Sequence, residues 1–135
     1  YILPKRTKKR QRSFQLFFIM TIQYKNQGYK QSDTTKTTVL TCPANATIII
    51  KSIYVVNNDA SSGILVNMNL VDSSDSSAEY EFFRDDVAAK TQVNATPQTL
   101  NLEAGDAVTV QAATGSNKIQ GAITYAQIDR SQENG

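Results

Sequence analysis

The apolar residues of this chain recur at every second position rather than every third or fourth. In Ile64-Leu-Val-Asn-Met-Asn-Leu-Val-Asp72, Ile64, Val66, Met68 and Leu70 share one side, and Asn67 and Asn69 share the other, flanked by Leu65 and Val71. Side chains alternate across a strand, so this pattern predicts a half-buried β-strand. Ala46-Thr-Ile-Ile-Ile-Lys-Ser-Ile-Tyr-Val-Val56 is apolar on both sides, interrupted only by Lys51 and Ser52. It reads as a central strand, or one whose outer face is covered by another layer or another subunit. Between the two lies Asn57-Asn-Asp-Ala-Ser-Ser-Gly63, whose Asn, Asp and Gly tolerate left-handed backbone and whose Ser residues bond to it locally. The expectation is an antiparallel hairpin.

Further strands are predicted at regular spacing: Met20 to Lys25, Lys36 to Thr41, Glu79 to Arg84, Gln98 to Leu102, Ala107 to Ala113 and Lys118 to Ile128. Gly121 in the last of these predicts a bulge or a close backbone approach. Asp85 to Lys90 reads equally as one helical turn or a loop. There is no amphipathic helix, no repeat and no interdomain linker. About eight short strands joined by turns, without the crossover segments that parallel pairing needs, define an all-β fold. The expected architecture is an antiparallel two-layer β-sandwich, jelly-roll-like, in one domain spanning residues 20–135.

Composition changes this picture mainly by exclusion. Among 135 residues there is no histidine and a single cysteine, Cys42. Histidine-based general bases, Ser–His and Cys–His pairs, and histidine-containing zinc sites are therefore ruled out. A disulfide framework within the chain is ruled out too. The net charge of +2 hides a split. Lys5, Arg6, Lys8, Lys9, Arg10 and Arg12 make residues 1–19 strongly basic, whereas the remainder is mildly acidic. The body therefore has no basic nucleic-acid-binding character.

Residues 1–19 have three readings: the start of a signal peptide, a basic arm for nucleic acid or an anionic surface, and upstream sequence preceding a start at Met20. The apolar run from Phe14 to Met20 is too short to span a bilayer and lacks a small-x-small cleavage site. Nucleic acid is a partner only if the basic arm is native, and no membrane partner is expected.

Few residues suggest chemistry. Asp72, Asp75, Asp85 and Asp86 are oxygen donors of the kind calcium takes, but without an EF-hand spacing, and they read as solvated turns. Glu79 and Glu81 share a strand face, as a glycosidase pair would, yet alternation with Tyr80 and Phe82 places them outward as edge charges. Cys42 reads as a buried inert thiol before Pro43. Asn45-Ala-Thr47 and Asn94-Ala-Thr96 match the glycosylation sequon. Gly105-Asp106 and Gly115-Ser-Asn117 are turns, since no helix start follows to cradle a phosphate. Tyr24, Tyr29, Tyr54, Tyr80, Phe82, Phe83 and Tyr125 are core and interface aromatics or, alternatively, a sugar-stacking platform. No catalytic, cofactor or metal residue is assigned.

Two stretches carry a resemblance. Thr37-Thr-Val-Leu-Thr-Cys-Pro-Ala-Asn-Ala-Thr-Ile-Ile-Ile-Lys-Ser-Ile-Tyr-Val-Val-Asn57 resembles a motif of small bacteriophage structural proteins: a strand, Val-Pro-Ala-Gly-Lys-Thr, then an apolar strand ending in Lys-Ser-Ile-x-Val-x-Asn. Cys42 stands where Val is common, and Asn45 where Gly is common. Leu102-Glu-Ala-Gly-Asp-Ala-Val-Thr-Val-Gln-Ala112 is similar to the Leu-x-x-Gly-Asp-x-Leu-x-Val-x-Ala stretch near the C-termini of the same proteins. The resemblance implies a non-enzymatic virion component, a capsid decoration or tail or neck accessory protein. It would work through contacts with its own copies, a trimer in the first instance, and with other virion proteins. Within the doubly apolar strand, Ile49, Ile53, Tyr54 and Val55 are the expected interface residues. The alternative is a carbohydrate- or receptor-binding module.

Overall fold

The structure, a computed structural model, describes residues 19–96 and 98–131. Two antiparallel sheets face each other across an apolar core. Nine strands build them: β1 Ile19–Lys30, β2 Thr37–Thr41, β3 Ala46–Asn57, β4 Ile64–Asp72, β5 Ala78–Val87, β6 Gln92–Asn94, β7 Leu100–Leu102, β8 Ala107–Ala112 and β9 Ile119–Ser131. One sheet runs β1-β9-β3, with β6 and β7 sharing the far edge of β3; the other runs β2-β8-β4-β5. This is the expected all-β two-layer sandwich. The tail readings fall on residues 1–19, of which 1–18 lie outside the described residues; Ile19 opens β1 opposite Ser131.

The strand β3 is central, between β9 and the β6/β7 edge. Its double apolarity has a local cause. The register with β9 slips between Ile50 and Ser52, leaving Lys51 as an extra residue. A bulge of one residue exchanges the two faces beyond it. Ile48 and Ile50 therefore point inward before the bulge, and Ile53 and Val55 point inward after it, all fully buried. They meet Ile64, Val66 and Met68 of β4 and Val108 and Val110 of β8 in one core. Each such side chain contributes about 1.5–3 kcal/mol when fully buried.

Two expectations are corrected, and a third, left between two alternatives, is decided. β3 and β4 do not form a hairpin; they lie in different sheets, and β4 pairs with β5 and β8. The connecting segment crosses the sandwich because Asn57 anchors it. Its buried amide nitrogen donates to Ser62 O (2.9 Å) and Val87 O (2.8 Å), and its oxygen accepts from Asp59 N (2.9 Å). Asp85 and Asp86 are neither helix nor loop, since β5 continues to Val87 before a turn with Lys90 in the left-handed region. Gly121 marks no bulge. It marks a close approach, because a Cβ there would lie 1.8 Å from Tyr54 O.

Candidate interaction surfaces

The bulge in β3 decides which of the expected interface residues face outward. Without it, Ile49, Ile53 and Val55 would share the outer face. With it, Ile53 and Val55 are sealed in the chain's own core and cannot contact another subunit in the folded state, while Ile49 and Tyr54 lie on the outer face of the first sheet. The register aligns Tyr24 of β1, Ala126 of β9 and Ile49 in one row across three strands, with Ile22 and Ile128 in the next. Tyr24 is 80% exposed, Ile22 56% and Tyr54 44%. Ala126 is only 6% exposed although it faces outward, as expected of a small side chain between Tyr24 and Ile49 in the same row. Ile22 did not stand out in the sequence, and Tyr24 did so only as one of seven aromatics with a core, interface or stacking role, since a polar strand with two isolated apolar residues looks ordinary.

The outer face of the second sheet is polar. Glu79 and Glu81 point outward as expected. Glu79 pairs with Lys36 (2.8 Å) and accepts from Asn69 Nδ2 (3.1 Å); Glu81 pairs with Arg84 (2.9 Å). Lys36 above all, and Asn69, hold Glu79 below the usual carboxylate range. Both acids stand on an open face rather than in a cleft, and each is neutralised by a base, so they lack the converging geometry that acid–base hydrolysis requires. Beside them, a shallow depression of about 340 Å³ is lined by Thr34, Leu65, Asn67, Gln111, Ala112 and Ala113. The amide oxygens of Asn67 and Asn69 are buried without a hydrogen-bond partner.

The remaining candidates serve the fold. Asp72 accepts from Ser74 N (3.0 Å) and caps the 3-10 turn Ser73–Asp75, and Asp75 accepts from the Tyr80 hydroxyl. Among the described residues, no three His, Cys, Asp or Glu side chains gather where a metal could bind. Asp106 is buried and joins two loops: its carboxylate accepts from Ser73 N (3.0 Å), Ser73 Oγ (3.1 Å) and Glu103 N (2.9 Å). Sequence reading treated Gly105-Asp106 only as a turn and missed this tie. Cys42 is buried with its thiol donating to Ala46 O (3.3 Å), and burial first, then Asp106, pushes its pKa up. It is thus an inert thiol, out of reach of a partner's cysteine. Asn94 Oδ1 accepts from Ile53 N (3.2 Å) and Thr96 N (3.1 Å), tying β6 to β3. The seven aromatics do not share one face, and only Tyr24 and Tyr54 stand exposed on the same sheet. Tyr29 and Tyr125 are buried, Phe82 and Phe83 pack against the core, and Tyr54 and Tyr80 belong to different sheets. No helix among the described residues is long and apolar enough to cross a membrane.

The geometry defines an antiparallel β-sandwich whose distinctive features are surfaces rather than a pocket of reactive groups. No protein-family model matches the chain, and no curated protein matches it. Among solved structures, the chain is similar to a Bacillus endospore appendage protein from a family of disulfide-linked pili, with TM-score 0.50 and 10% identity over 84% of this chain and 89% of that one. It is also similar to the virus-like particle protein of the giant freshwater prawn Macrobrachium rosenbergii extra small virus, with TM-score 0.47 and 11% identity over 84% and 81%. A third likeness is to the core of Drosophila NLP, with TM-score 0.44 and 15% identity over 78% and 97%.

Proposed function

We propose that this chain is a non-enzymatic structural subunit of a virion, of the capsid decoration or tail or neck accessory kind found in bacteriophages. It acts through contacts with its own copies and with other particle proteins. One observation carries the reading: on the outer face of the first sheet, exposed Ile22 and Tyr24 adjoin half-buried Ile49, with exposed Tyr54 further along the same face. The phage-protein resemblance over residues 37–57 and 102–112 agrees with it. So does the fold, which builds pili in the Bacillus appendage protein. At about 25 cal/mol per Å2 of apolar surface, a few hundred Å2 per subunit sustains a symmetric assembly, and repetition on a particle adds avidity. The closed homo-oligomer to test first is a trimer. Nucleic acid is a partner only if the basic arm in residues 1–19 is native.

Light scattering on the purified full chain tests the reading. The expected result is a mass of several subunits that falls on Tyr24→Glu or Tyr54→Glu. A chain that stays monomeric at high concentration overturns it. Portal, capsid or tail genes beside the coding sequence are expected for the phage assignment, and their absence counts against it. The carbohydrate-binding reading keeps one support, the unpartnered amide oxygens of Asn67 and Asn69 beside the depression on the second sheet. Specific glycan-array binding lost on Asn67→Ala would favour it over the particle role.

A further inference from the structure

The two sheets leave open edges, and these differ in length, regularity and charge. β1 is twelve residues long and, among the described residues, pairs only with β9. Its pairing with β9 runs without a register slip from Ile19 to Lys30, and it contains no proline. Residues 21–28 are exposed throughout. Alternate residues of such a strand aim their N–H and C=O groups away from the sheet, which makes it a template for another strand. β2, by contrast, has five residues and a slip between Thr38 and Leu40, and β6 and β7 have three residues each.

The fourth edge is β5, ten residues long and paired among the described residues only with β4. Its charge is opposite. β1 carries Lys25 and Lys30 and no acid, whereas β5 carries four acids against Arg84. Glu79 and Glu81 are already matched by Lys36 and Arg84. Asp85 and Asp86, beyond the irregularity at Phe82, have no salt bridge among the described residues, and neither have Lys25 and Lys30. Pairing β1 with β1 would set lysine against lysine, and β5 with β5 would set acid against acid; only the mixed pairing is attractive. The two edges also lie on opposite flanks of the sandwich, since β1 sits beside β2 and β5 sits beside β3.

We infer that the free edge of β1 in one copy of this chain hydrogen-bonds to the free edge of β5 in the next, chiefly along Phe83–Val87, joining the first sheet of one subunit to the second sheet of its neighbour. The inference rests on the building-block reading and supplies its contact. A head-to-tail contact between opposite flanks is heterologous, so it closes into a ring or runs on as a filament according to the rotation per step. Tyr24 and Ile22 lie on the same strand and bring their exposed apolar surface up to this seam.

Charge reversal on the full chain tests it. Lys25→Glu with Lys30→Glu, or Asp85→Lys with Asp86→Lys, each places like charges along the seam. Either pair is expected to weaken self-association by on the order of tenfold or more, read by sedimentation velocity. Mixing the two variants restores matched edges and should recover the wild-type mass as alternating copies. Glu103→Lys, in the exposed turn between β7 and β8, should leave the mass unchanged, and circular dichroism checks that every variant is folded. Assemblies that ignore both reversals, or that mixing fails to restore, overturn the edge pairing and leave the building-block reading standing. A wild-type chain that is monomeric overturns both.

Discussion

Replacing Gly121 by alanine adds one methyl group at the tightest place in the first sheet. Gly121 lies in register with Tyr29 of β1 on one side and Val55 of β3 on the other. An added Cβ would sit 1.8 Å from Tyr54 O and 2.8 Å from the Tyr29 hydroxyl. Neither neighbour can yield cheaply. The carbonyl belongs to the central strand, and the hydroxyl is the group that donates to that same carbonyl at 2.8 Å. Overpacking in a well-filled interior costs roughly 1–3 kcal/mol. Breaking the Tyr29 hydrogen bond adds roughly 1 kcal/mol, because its partners lose water without regaining each other. The total, roughly 2–4 kcal/mol, is a large part of the 5–15 kcal/mol typical of such a domain. Urea unfolding followed by circular dichroism measures it directly, and at about 4 °C per kcal/mol the melting temperature should fall by roughly 8–16 °C. Tyr29→Phe alone should cost only about 1 kcal/mol. The double variant should then cost about 1 kcal/mol less than the sum, since alanine at 121 has already broken the bond that phenylalanine removes. A Gly121→Ala protein within about 0.5 kcal/mol of wild type would refute the close-approach argument, and strict additivity would refute the shared hydrogen bond.

Asn57→Asp should be worse than Asn57→Ala, because a buried carboxylate would face the Ser62 and Val87 carbonyl oxygens that the amide nitrogen now serves. The expected loss in urea unfolding is roughly 3 kcal/mol or more, and equal losses for the two variants would refute the donor role. Stability should also fall at both pH extremes, for assignable reasons. Burial raises the Tyr29 pKa in the folded chain, so its contribution is complete below the ordinary tyrosine value near 10 and is lost as pH rises above it. Lys36 lowers the Glu79 pKa, and the Ser61 and Ser62 amides lower that of Asp59, so these contributions are present above the ordinary carboxylate range near 4 and are lost as pH falls below it. Thermal melts across pH should show Tyr29→Phe flattening the alkaline limb and Lys36→Met flattening the acid limb; unchanged limbs would overturn those assignments.

Much of the architecture was legible because alternation leaves little choice. Ile64, Val66 and Met68 can be buried together only on one face of a strand, and the same holds for Val108 and Val110. The pairing of strands was less legible. The segment after Asn57 has ordinary turn residues, and nothing in its composition separates a hairpin from a crossing between sheets. The difference lies in one buried amide that holds both the far end of its own segment, at Ser62, and Val87 at the end of β5. β6 was missed for a similar reason. Three residues carry no period, and Gln92–Asn94 is a strand only because β3 offers it an edge.

The residues expected at an interface are where sequence reasoning and structure part most instructively. Strict alternation along Ile49, Lys51, Ile53 and Val55 would put them all on one surface, and a single bulge at Lys51 moves Ile53 and Val55 into the core. A bulge changes no residue and leaves no periodic trace beyond the slip itself, yet it decides which half of a strand is available to a partner. The same limit applies to edges. Lys25 and Asp85 are ordinary surface charges in the sequence. They acquire opposite roles only once β1 and β5 are known to end their sheets on opposite flanks. If the chain works by joining copies of itself, its functional groups are therefore backbone edges, with side chains setting which edge meets which. That kind of information resides in topology, which explains how a chain with recognisable strands can conceal the surface on which it acts.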